Sequence, residues 1–426
     1  MYTNNFRRAM LGDTALLSLD FTAGTVPTAV TFTRADSTAR ATYIDASGYV
    51  KTVASAGAAR FDYTGGVAKG LLIEASATNL SNSVELWGTS LTTITSVSGQ
   101  TTPANDSAVY KVTDTTDNGQ HSINRTPIIG TANIGAVYTA SVWMKKPSTN
   151  AHSYAGFQVA FGAGGGAVTT FNLATGANTQ SFSYGGAAAP TYTSTAYSNG
   201  WFRYTMTFTF PGTGSANIYI LLSSNGTTTS YAGTRTDFYV WGAQVELGAA
   251  ASSYILTTTA ELTRLADDAV IRSTAWTSLY AQPGAMVVEF YRGAYGAGDR
   301  SVLATDTTAA RHWDLLHANG SATAQIAFST GSAVTQTGLV SGLNKVAIAW
   351  NAPTPTASFD LCVNGATPTF GGSNVGTTLS TWLTLGSQST TGVSGSGTWD
   401  NYLNNSIKSV KYYTGLTYAE MQAKTT

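Results

Sequence analysis

Residues 201–210, WFRYTMTFTF, alternate between two kinds of side chain. One set is apolar or aromatic and consists of Phe202, Tyr204, Met206, Phe208 and Phe210. The set between them is Trp201, Arg203, Thr205, Thr207 and Thr209. A period of two is that of a β-strand with one face on an apolar core. Residues 138–146, YTASVWMKK, alternate in the same way, with one face formed by Tyr138, Ala140, Val142 and Met144, so we predict a second strand of this kind.

The rest of the chain follows the same pattern. Short runs rich in Thr, Val, Tyr, Phe and Trp are separated by clusters of Gly, Asn and Ser, and the 426 residues include 44 glycines and 10 prolines. These are the signals of many strands joined by tight turns. Helical periodicity is confined to the segment after Thr417, which is a suitable N-cap residue. The sequence therefore predicts an all-β fold of β-sandwiches or jelly rolls.

Composition places provisional domain boundaries. Residues 1–77 contain short strands with little regular spacing, and residues 78–260 form the longest alternating block. Residues 261–284 begin within the densest charged stretch, AELTRLADDAV, and are predicted to be a linker. Residues 285–426 have the length of a second sandwich.

Charge and cysteine content exclude some classes of protein. The 22 Lys and Arg residues balance the 22 Asp and Glu residues, whereas a nucleic-acid-binding protein carries a basic excess or stripe. No window has the ~18 consecutive apolar residues of a transmembrane helix, and the first residues lack the pattern of a signal peptide. Cys362 is the sole cysteine. We expect synthesis in a cytoplasm without standard export, no membrane insertion and no nucleic-acid partner.

Several strings along the chain resemble a family of tailed-bacteriophage virion proteins, namely tail fibre, tail spike and head fibre proteins. The most specific is RFDYTGGVAKGLLIEASATNL, residues 60–80, and TFTRADSTARATYIDASGYVKT resembles the opening of the family. YTASVWMKK, GWFRYTMTFTF and FYVWGAQVELGAAASSYILT resemble its carbohydrate-binding-like jelly roll. NKVAIAWN, LCVNGA and SIKSVKYYTGLTYAEMQAKT resemble its closing concanavalin-A/laminin-G-like sandwich. The first ten residues replace the longer anchoring modules of many relatives.

The resemblance implies a protein of the virion surface that adheres to host surface polysaccharide without cleaving it. Its partners would be other virion proteins of the capsid or tail and a host glycan, its oligomer would be a trimer, and residues 1–77 would attach it to the particle. Two alternatives stay open. One is a purely structural capsid or tail decoration, and the other is a polysaccharide depolymerase.

Catalysis by a glycosidase would require two carboxylates facing each other across a sugar. No two of the six glutamates lie close in sequence, so a pair would have to come from distant strands. Glu246, in GAQVELG, is better explained as a buried partner of Arg203. We therefore expect no enzymatic activity.

Aromatic side chains are the main candidates for sugar contact, because a flat ring can stack on the apolar face of a pyranose. Trp143 and Arg203 share the polar faces of their strands and could line a concave sheet. Rings predicted to lie in loops add Tyr184, Tyr192, Tyr197, Tyr231, Trp313, Trp399 and Tyr402. Of these, Tyr192, Tyr231, Trp313 and Trp399 are the candidate contacts, and packing between subunits is the alternative for each ring.

Calcium is the candidate ion, because hard oxygen ligands in an irregular loop suit it. The ligands would be Asp114, Asp117 and Asn118 in TDTTDNG, or Asp299 with Asp306. An Asp/Asn turn that binds only its own backbone is the alternative.

Overall fold

A computed structural model describes residues 15–129, 134–162, 164–211, 215–272, 278–279, 283–293, 300–305, 313–317, 321–328, 333–350, 357–374, 382–389, 399–400 and 402–426. The described chain is built of β-strands. Its strands up to residue 129 are β1 (Leu17–Asp20), β2 (Thr31–Thr33), β3 (Thr42–Ile44), β4 (Val50–Thr52), β5 (Phe61–Thr64), β6 (Val67–Ile73), β7 (Ala77–Asn79), β8 (Gly88–Ser90), β9 (Thr92–Val97), β10 (Val109–Asp114), β11 (Asn118–Gln120) and β12 (Ser122–Ile129).

The next strands, up to residue 272, are β13 (Val137–Lys145), β14 (Tyr154–Phe161), β15 (Gly166–Asn172), β16 (Asn178–Tyr184), β17 (Thr191–Ala196), β18 (Phe202–Thr209), β19 (Ala216–Ser223), β20 (Ser230–Ala232), β21 (Asp237–Leu247), β22 (Leu262–Arg264) and β23 (Asp268–Arg272). The remaining strands are β24 (Gly284–Arg292), β25 (Arg300–Thr305), β26 (Trp313–His317), β27 (Thr323–Phe328), β28 (Ala333–Thr337), β29 (Gly342–Trp350), β30 (Ala357–Val363), β31 (Thr369–Asn374), β32 (Trp382–Leu385), β33 (Gln388–Ser389), β34 (Trp399–Asp400) and β35 (Asn405–Tyr413). The predicted all-β sandwich class is confirmed.

Helical structure is sparse. Short 3₁₀ turns lie at Val84–Leu86 and Ser198–Gly200, and helix α1 is Tyr418–Thr425. Thr417 caps α1 as the sequence predicts, because its side chain accepts from the Glu420 N–H while the Glu420 carboxylate accepts from the Thr417 N–H. Within the described residues no helix combines the length and apolar character needed to cross a membrane.

The chain divides into two units. Unit 1 comprises Met1–Ala39, Val53–Ser76 and Leu265–Thr426, and unit 2 comprises Arg40–Thr52 and Ala77–Arg264. This grouping differs from the predicted boundaries in two places. Parts of residues 1–77 contribute strands to the same sheet as residues 285–426, and the predicted linker contains strands β22 and β23. The sequence did not indicate this because the pairing partners lie hundreds of residues apart.

Unit 1 is a sandwich of two antiparallel sheets. One has the order β31-β30-β29-β24-β35-β6-β5, with β1 also pairing with β35, and the other has the order β2-β23-β32-β25-β26-β27-β28. Both contribute to a single core that includes Leu19, Val288, Ile348, Leu303 and Leu385. Residues from the beginning and the end of the chain therefore share one core.

Within residues 60–80, one glycine lies where the backbones of two strands of unit 1 come unusually close. Gly70 in β6 has φ +103°, and a Cβ there would lie 2.1 Å from the carbonyl oxygen of Ile407 in β35. A side chain at this position would push the two strands apart. This glycine is thus required for β6 to pair with β35.

The same string contributes to an ionic network buried in unit 1. Arg60 contacts both Glu74 and Asp267. Asp267 also accepts from Arg34, at 2.9 Å, and Arg34 pairs with Asp36 at 2.7 Å. All five residues are buried. We call Arg34, Asp36, Arg60, Glu74 and Asp267 the ionic network.

Unit 2 is a second sandwich with sheet orders β17-β18-β13-β21-β10-β9 and β16-β15-β14-β19-β12-β8. Its core is formed between them and contains the predicted apolar faces of β13 and β18, including Tyr138, Val142, Tyr204, Met206 and Phe208. The apolar faces predicted for residues 138–146 and 201–210 are therefore confirmed.

Candidate functional site

One sheet of unit 2 has an outer face that carries a row of aromatic and amide side chains. In β14, Phe157 and Val159 belong to the core, so Gln158 between them points to the opposite face. In β19, Ile218 and Ile220 belong to the core, and Tyr219 lies between them.

Strand register aligns these outward positions. Phe182 of β16 lies opposite Val168 of β15, Val168 opposite Gln158, Gln158 opposite Tyr219, and Tyr219 opposite Asn124 of β12. Phe182 is 41% exposed, and Gln158, Tyr219 and Asn124 are half-buried. One continuous row therefore crosses five strands.

The Tyr184 ring lies beside this row, packed over Gly166 and hydrogen-bonded to Gln158. A Cβ at Gly166, its partner in β15, would come within 2.4 Å of the Tyr184 hydroxyl, so only glycine leaves room for the ring. Gln158 Nε2 donates to that hydroxyl at 2.8 Å, and Gln158 Oε1 accepts from Gln120 Nε2 at 3.1 Å. This chain of bonds holds Gln158 and Tyr184 in one geometry.

The surface formed by this row and its neighbours we call the amide–aromatic face. Its residues are Gln120, Asn124, Tyr154, Gln158, Phe182, Tyr184 and Tyr219. Side-chain amides both donate and accept hydrogen bonds, and flat rings offer apolar surface with a polar edge. The face can therefore bind a ligand that combines hydroxyl groups with apolar C–H surface.

The predicted contact residues Trp143 and Arg203 lie elsewhere and are buried. Trp143 is 1% exposed, with Trp241 and Tyr254 against it at ring-centroid distances of 5.2 and 5.3 Å. The Arg203 guanidinium stacks 4.5 Å from its ring centre. Val50 of β4 belongs to the same cluster. The prediction that this pair lines an open sheet is thus wrong, because a second, smaller core covers the face that the alternation assigned to solvent.

Glu246 is buried near Arg203, as expected, but the link is indirect. Its carboxylate accepts from Gln244 Nε2 at 2.6 Å and from the Ser252 N–H and hydroxyl, while Arg203 donates to the Ser252 carbonyl at 2.8 Å and to the Ser141 hydroxyl. Burial raises the pKa of Glu246, which these hydrogen bonds partly offset. Its bonding is therefore that of a structural group.

Tyr192 and Tyr231 differ in environment. Tyr192, on the edge strand β17, is 43% exposed and meets Phe171 edge-on with ring centroids 6.0 Å apart. The half-buried Tyr231 ring lies 4.6 Å from that of His121 and 5.9 Å from that of His152. Neither ring belongs to the amide–aromatic face. Trp313 and Trp399 have side chains outside the described residues.

The calcium candidates Asp114, Asp117 and Asn118 lie among described residues, and each makes hydrogen bonds within the protein. Both Asp114 oxygens accept backbone N–H groups, from Thr234 at 3.1 Å and from Thr236 at 2.6 Å. Asp117 accepts from the Thr115 hydroxyl, and Asn118 pairs with Ala232. Among described residues no group of three or more His, Cys, Asp or Glu is placed to hold a metal. Asp114 thus fastens the loop that follows β20, and Asp299 and Asp306 lie outside the described residues.

Gln158, Tyr219, Asn124 and Gln120 are not among the contact residues predicted from the sequence. A signal was present in β14 and β19, where a polar or aromatic residue alternates with core residues and no position is charged. What the sequence could not supply was the register that puts Gln158 beside Tyr219.

No protein-family profile and no curated protein sequence matches the chain. Solved structures to which the chain is similar include the CBM40 of a Ruminococcus gnavus IT-sialidase bound to α2,3-sialyllactose, at 19% identity and TM-score 0.29, covering 36% of this chain and 87% of that chain. Domains LG4–5 of the mouse laminin α1 chain align at 12% identity and TM-score 0.22, covering 72% and 88%. The GH43 BlXynB protein from Bacillus licheniformis aligns at 9% identity and TM-score 0.22, covering 72% of this chain and 62% of that chain. Scores this low carry no argument about ligand or activity.

Proposed function

We propose that unit 2 binds a polysaccharide through the amide–aromatic face and that the chain is a non-enzymatic adhesin of a phage virion, in a fibre or spike. The observation that carries the binding proposal is the row Phe182–Gln158–Tyr219–Asn124 across the sheet. Rings can stack on the C–H faces of sugars, and the amides can bond hydroxyl groups.

Preorganisation supports this role. The Gln120–Gln158–Tyr184 bonds restrict three side chains before any ligand arrives, which lowers the entropy lost on binding. The face also stands on paired strands rather than on a loop, so its spacing is fixed.

The absence of cleavage is proposed on a separate ground. No described residue of the amide–aromatic face is a carboxylate, and hydrolysis of a glycosidic bond needs a pair of them. The virion location, the trimer and attachment through residues 1–77 rest on the resemblance of the sequence strings.

The test is retention of the purified protein on host capsule and lipopolysaccharide extracts, with the glycan's chain length followed over time. We expect retention with no shortening. Tyr219→Ala should weaken retention about tenfold, equivalent to roughly 1.4 kcal/mol. Tyr192→Ala is the control, because it removes a tyrosine ring that is 43% exposed and lies outside the face, and it should change retention less than twofold.

Equal loss in both variants, or loss with Tyr192→Ala alone, would contradict the assignment to this face. Shortening of the glycan would contradict the non-enzymatic role. Antibodies against unit 2 should label purified particles at fibres or spikes, and failure to label any virion structure would contradict the proposed location.

A further inference from the structure

The sequence of unit 2 contains a long segment almost without charge. Arg203 is the sole Asp, Glu, Lys or Arg between Ala151 and Thr234, although the whole chain has 22 basic and 22 acidic residues in 426. Strands β14, β15, β16 and β19 all fall within this segment. These four strands carry most of the amide–aromatic face.

Arg203 does not reach that face. It lies on β18 in the other sheet of the sandwich, 9% exposed, and it donates to Ser252 and Ser141 of unit 2. The Arg203 guanidinium therefore lies in the buried cluster around Trp143, on the opposite side of the core from the amide–aromatic face.

Two further cations lie near the sheet. Arg125 of β12 is opposite Ile218, a core residue, so the alternation directs it away from the face. Lys146 donates to the Ser153 hydroxyl at 3.1 Å, beside Tyr154 at one end of the face. The row from Phe182 to Asn124 itself is uncharged.

The lack of charge on this face favours neutral ligands over acidic ones. A sugar carboxylate or phosphate loses hydration on binding and needs a cation or several aimed N–H groups to offset the loss. A neutral pyranose presents hydroxyl groups, which amides and phenols can satisfy, and C–H surface, which rings can cover. A face without carboxylates also has no hard charged ligand with which to hold calcium against a sugar.

The length of the row bears on ligand size. Four gaps between five adjacent strands, each of about 4.8 Å, give roughly 19 Å. A single sugar ring would cover only part of that length, whereas several consecutive rings of a chain would fill it.

We propose, on the basis of the function proposed above, that the amide–aromatic face binds a neutral polysaccharide and does so without calcium. Binding then depends little on ionic strength, because no ion pair is formed that salt could screen.

The test uses dextran, mannan and galactan, each alongside its carboxymethyl derivative, together with an array of neutral and acidic bacterial polysaccharides. We expect at least one neutral polymer to bind, and its carboxymethyl derivative to bind at least tenfold more weakly. Raising NaCl from about 20 to about 500 mM, which shortens the screening length several-fold, should change the affinity less than twofold. Adding EDTA should change it equally little.

Preferential binding of acidic polymers, or loss of binding in EDTA, would overturn this inference while leaving polysaccharide binding intact. Retention of no polymer, neutral or acidic, would overturn both the inference and the proposed function.

A variant that adds a positive charge to the face tests whether the missing charge is what excludes acidic polymers. Asn124→Lys puts a cation at the end of the row, and we expect it to raise affinity for carboxymethyl polymers at least fivefold. Thr193→Lys adds the same charge to exposed β17 of the other sheet and should have less than a twofold effect. Equal gains from both variants would contradict the assignment of the ligand to this face.

Discussion

One buried polar cluster from each unit shows a different chemistry. Unit 1 relies on the ionic network, in which two guanidinium groups meet three carboxylates. Unit 2 contains the fully buried Asn79, whose amide donates to the carbonyls of Ala243 and Ile255 and accepts the N–H groups of Ser81 and Val245. The ionic network and Asn79 each provide partners for buried polar groups that lie far apart in the sequence.

The difference teaches how each unit responds to change. A buried charge that loses its partner is left in a medium of low polarity, which costs far more than a lost neutral hydrogen bond. Loss of one residue of the ionic network should therefore destabilise unit 1 strongly, whereas loss of Asn79 from unit 2 should cost only the summed effect of neutral hydrogen bonds.

The largest effect is expected for Arg60→Met in unit 1. This change leaves Glu74 and Asp267 without the guanidinium between them, and it should lower the free energy of unfolding by about 3–5 kcal/mol. Chemical denaturation followed by tryptophan fluorescence measures it.

Lys408→Met is the control. It removes an ion pair with Glu289, at 2.9 Å, in which both side chains are partly exposed, so it should cost about 1 kcal/mol or less. A loss no greater for Arg60→Met than for Lys408→Met would show that the ionic network does not set the stability of unit 1.

A smaller effect is expected for Asn79→Ala in unit 2. The variant removes the hydrogen bonds that two carbonyl oxygens and two N–H groups make to the Asn79 amide, and we expect a loss of about 2–3 kcal/mol. Asn225→Ala, in an exposed turn where Asn225 accepts three hydrogen bonds, should cost less than about 1 kcal/mol. If the exposed variant were the more destabilised, the comparison between the units would fail.

The last two predictions concern pH, where Asp314 of unit 1 and His152 of unit 2 should make contributions of opposite sign. Burial raises the pKa of Asp314 in unit 1 to about 7, against about 3.9 in an unfolded chain. The native protein therefore holds a proton that the unfolded chain releases, and the stability of unit 1 should fall by roughly 1 kcal/mol per pH unit as pH rises from about 4 to 7. In Asp314→Asn this slope should become shallower, leaving the contribution of other buried carboxyls such as Asp268, whose pKa burial raises to about 6.

Unit 2 should show the opposite slope through His152. Burial lowers its pKa; nearby Asp114 raises it, and His121 lowers it further. The unfolded chain then binds the proton more readily, so the stability of unit 2 is full above about pH 6.5 and falls as pH drops below it. His152→Gln should flatten this fall, and an unchanged pH profile in that variant would contradict the role given to His152.

Local pattern was enough to predict much of the fold. Alternation placed Tyr204 and Met206 in the core, and Thr417 marked the start of the helix, because these features depend on neighbours in the chain. The string 60–80 was singled out as a signature, and the structure shows Arg60 and Glu74 within it as partners. What pattern could not supply was pairing at long range, which brings Asp267 to both of them.

The candidate site was predicted less well for the same reason. Trp143 was assigned to the correct face of its strand, but the segment that covers this face begins nearly 100 residues earlier, at β3 and β4. Gln158 belongs to no recognisable sequence motif. It becomes a candidate for ligand contact only because the strand register places it beside Tyr219 and Val168.

The placement of β35 in unit 1 has a consequence for biosynthesis. Leu17 pairs with Tyr412 and Leu72 with Ser406. Because these partners lie in β35, neither β1 nor β6 can pair with it until the ribosome has passed residue 413. Unit 2 is fully translated by residue 264 and can fold first. At ordinary elongation rates the early strands of unit 1 wait on the order of half a minute, with unpaired backbone edges that are open to pairing with other nascent chains.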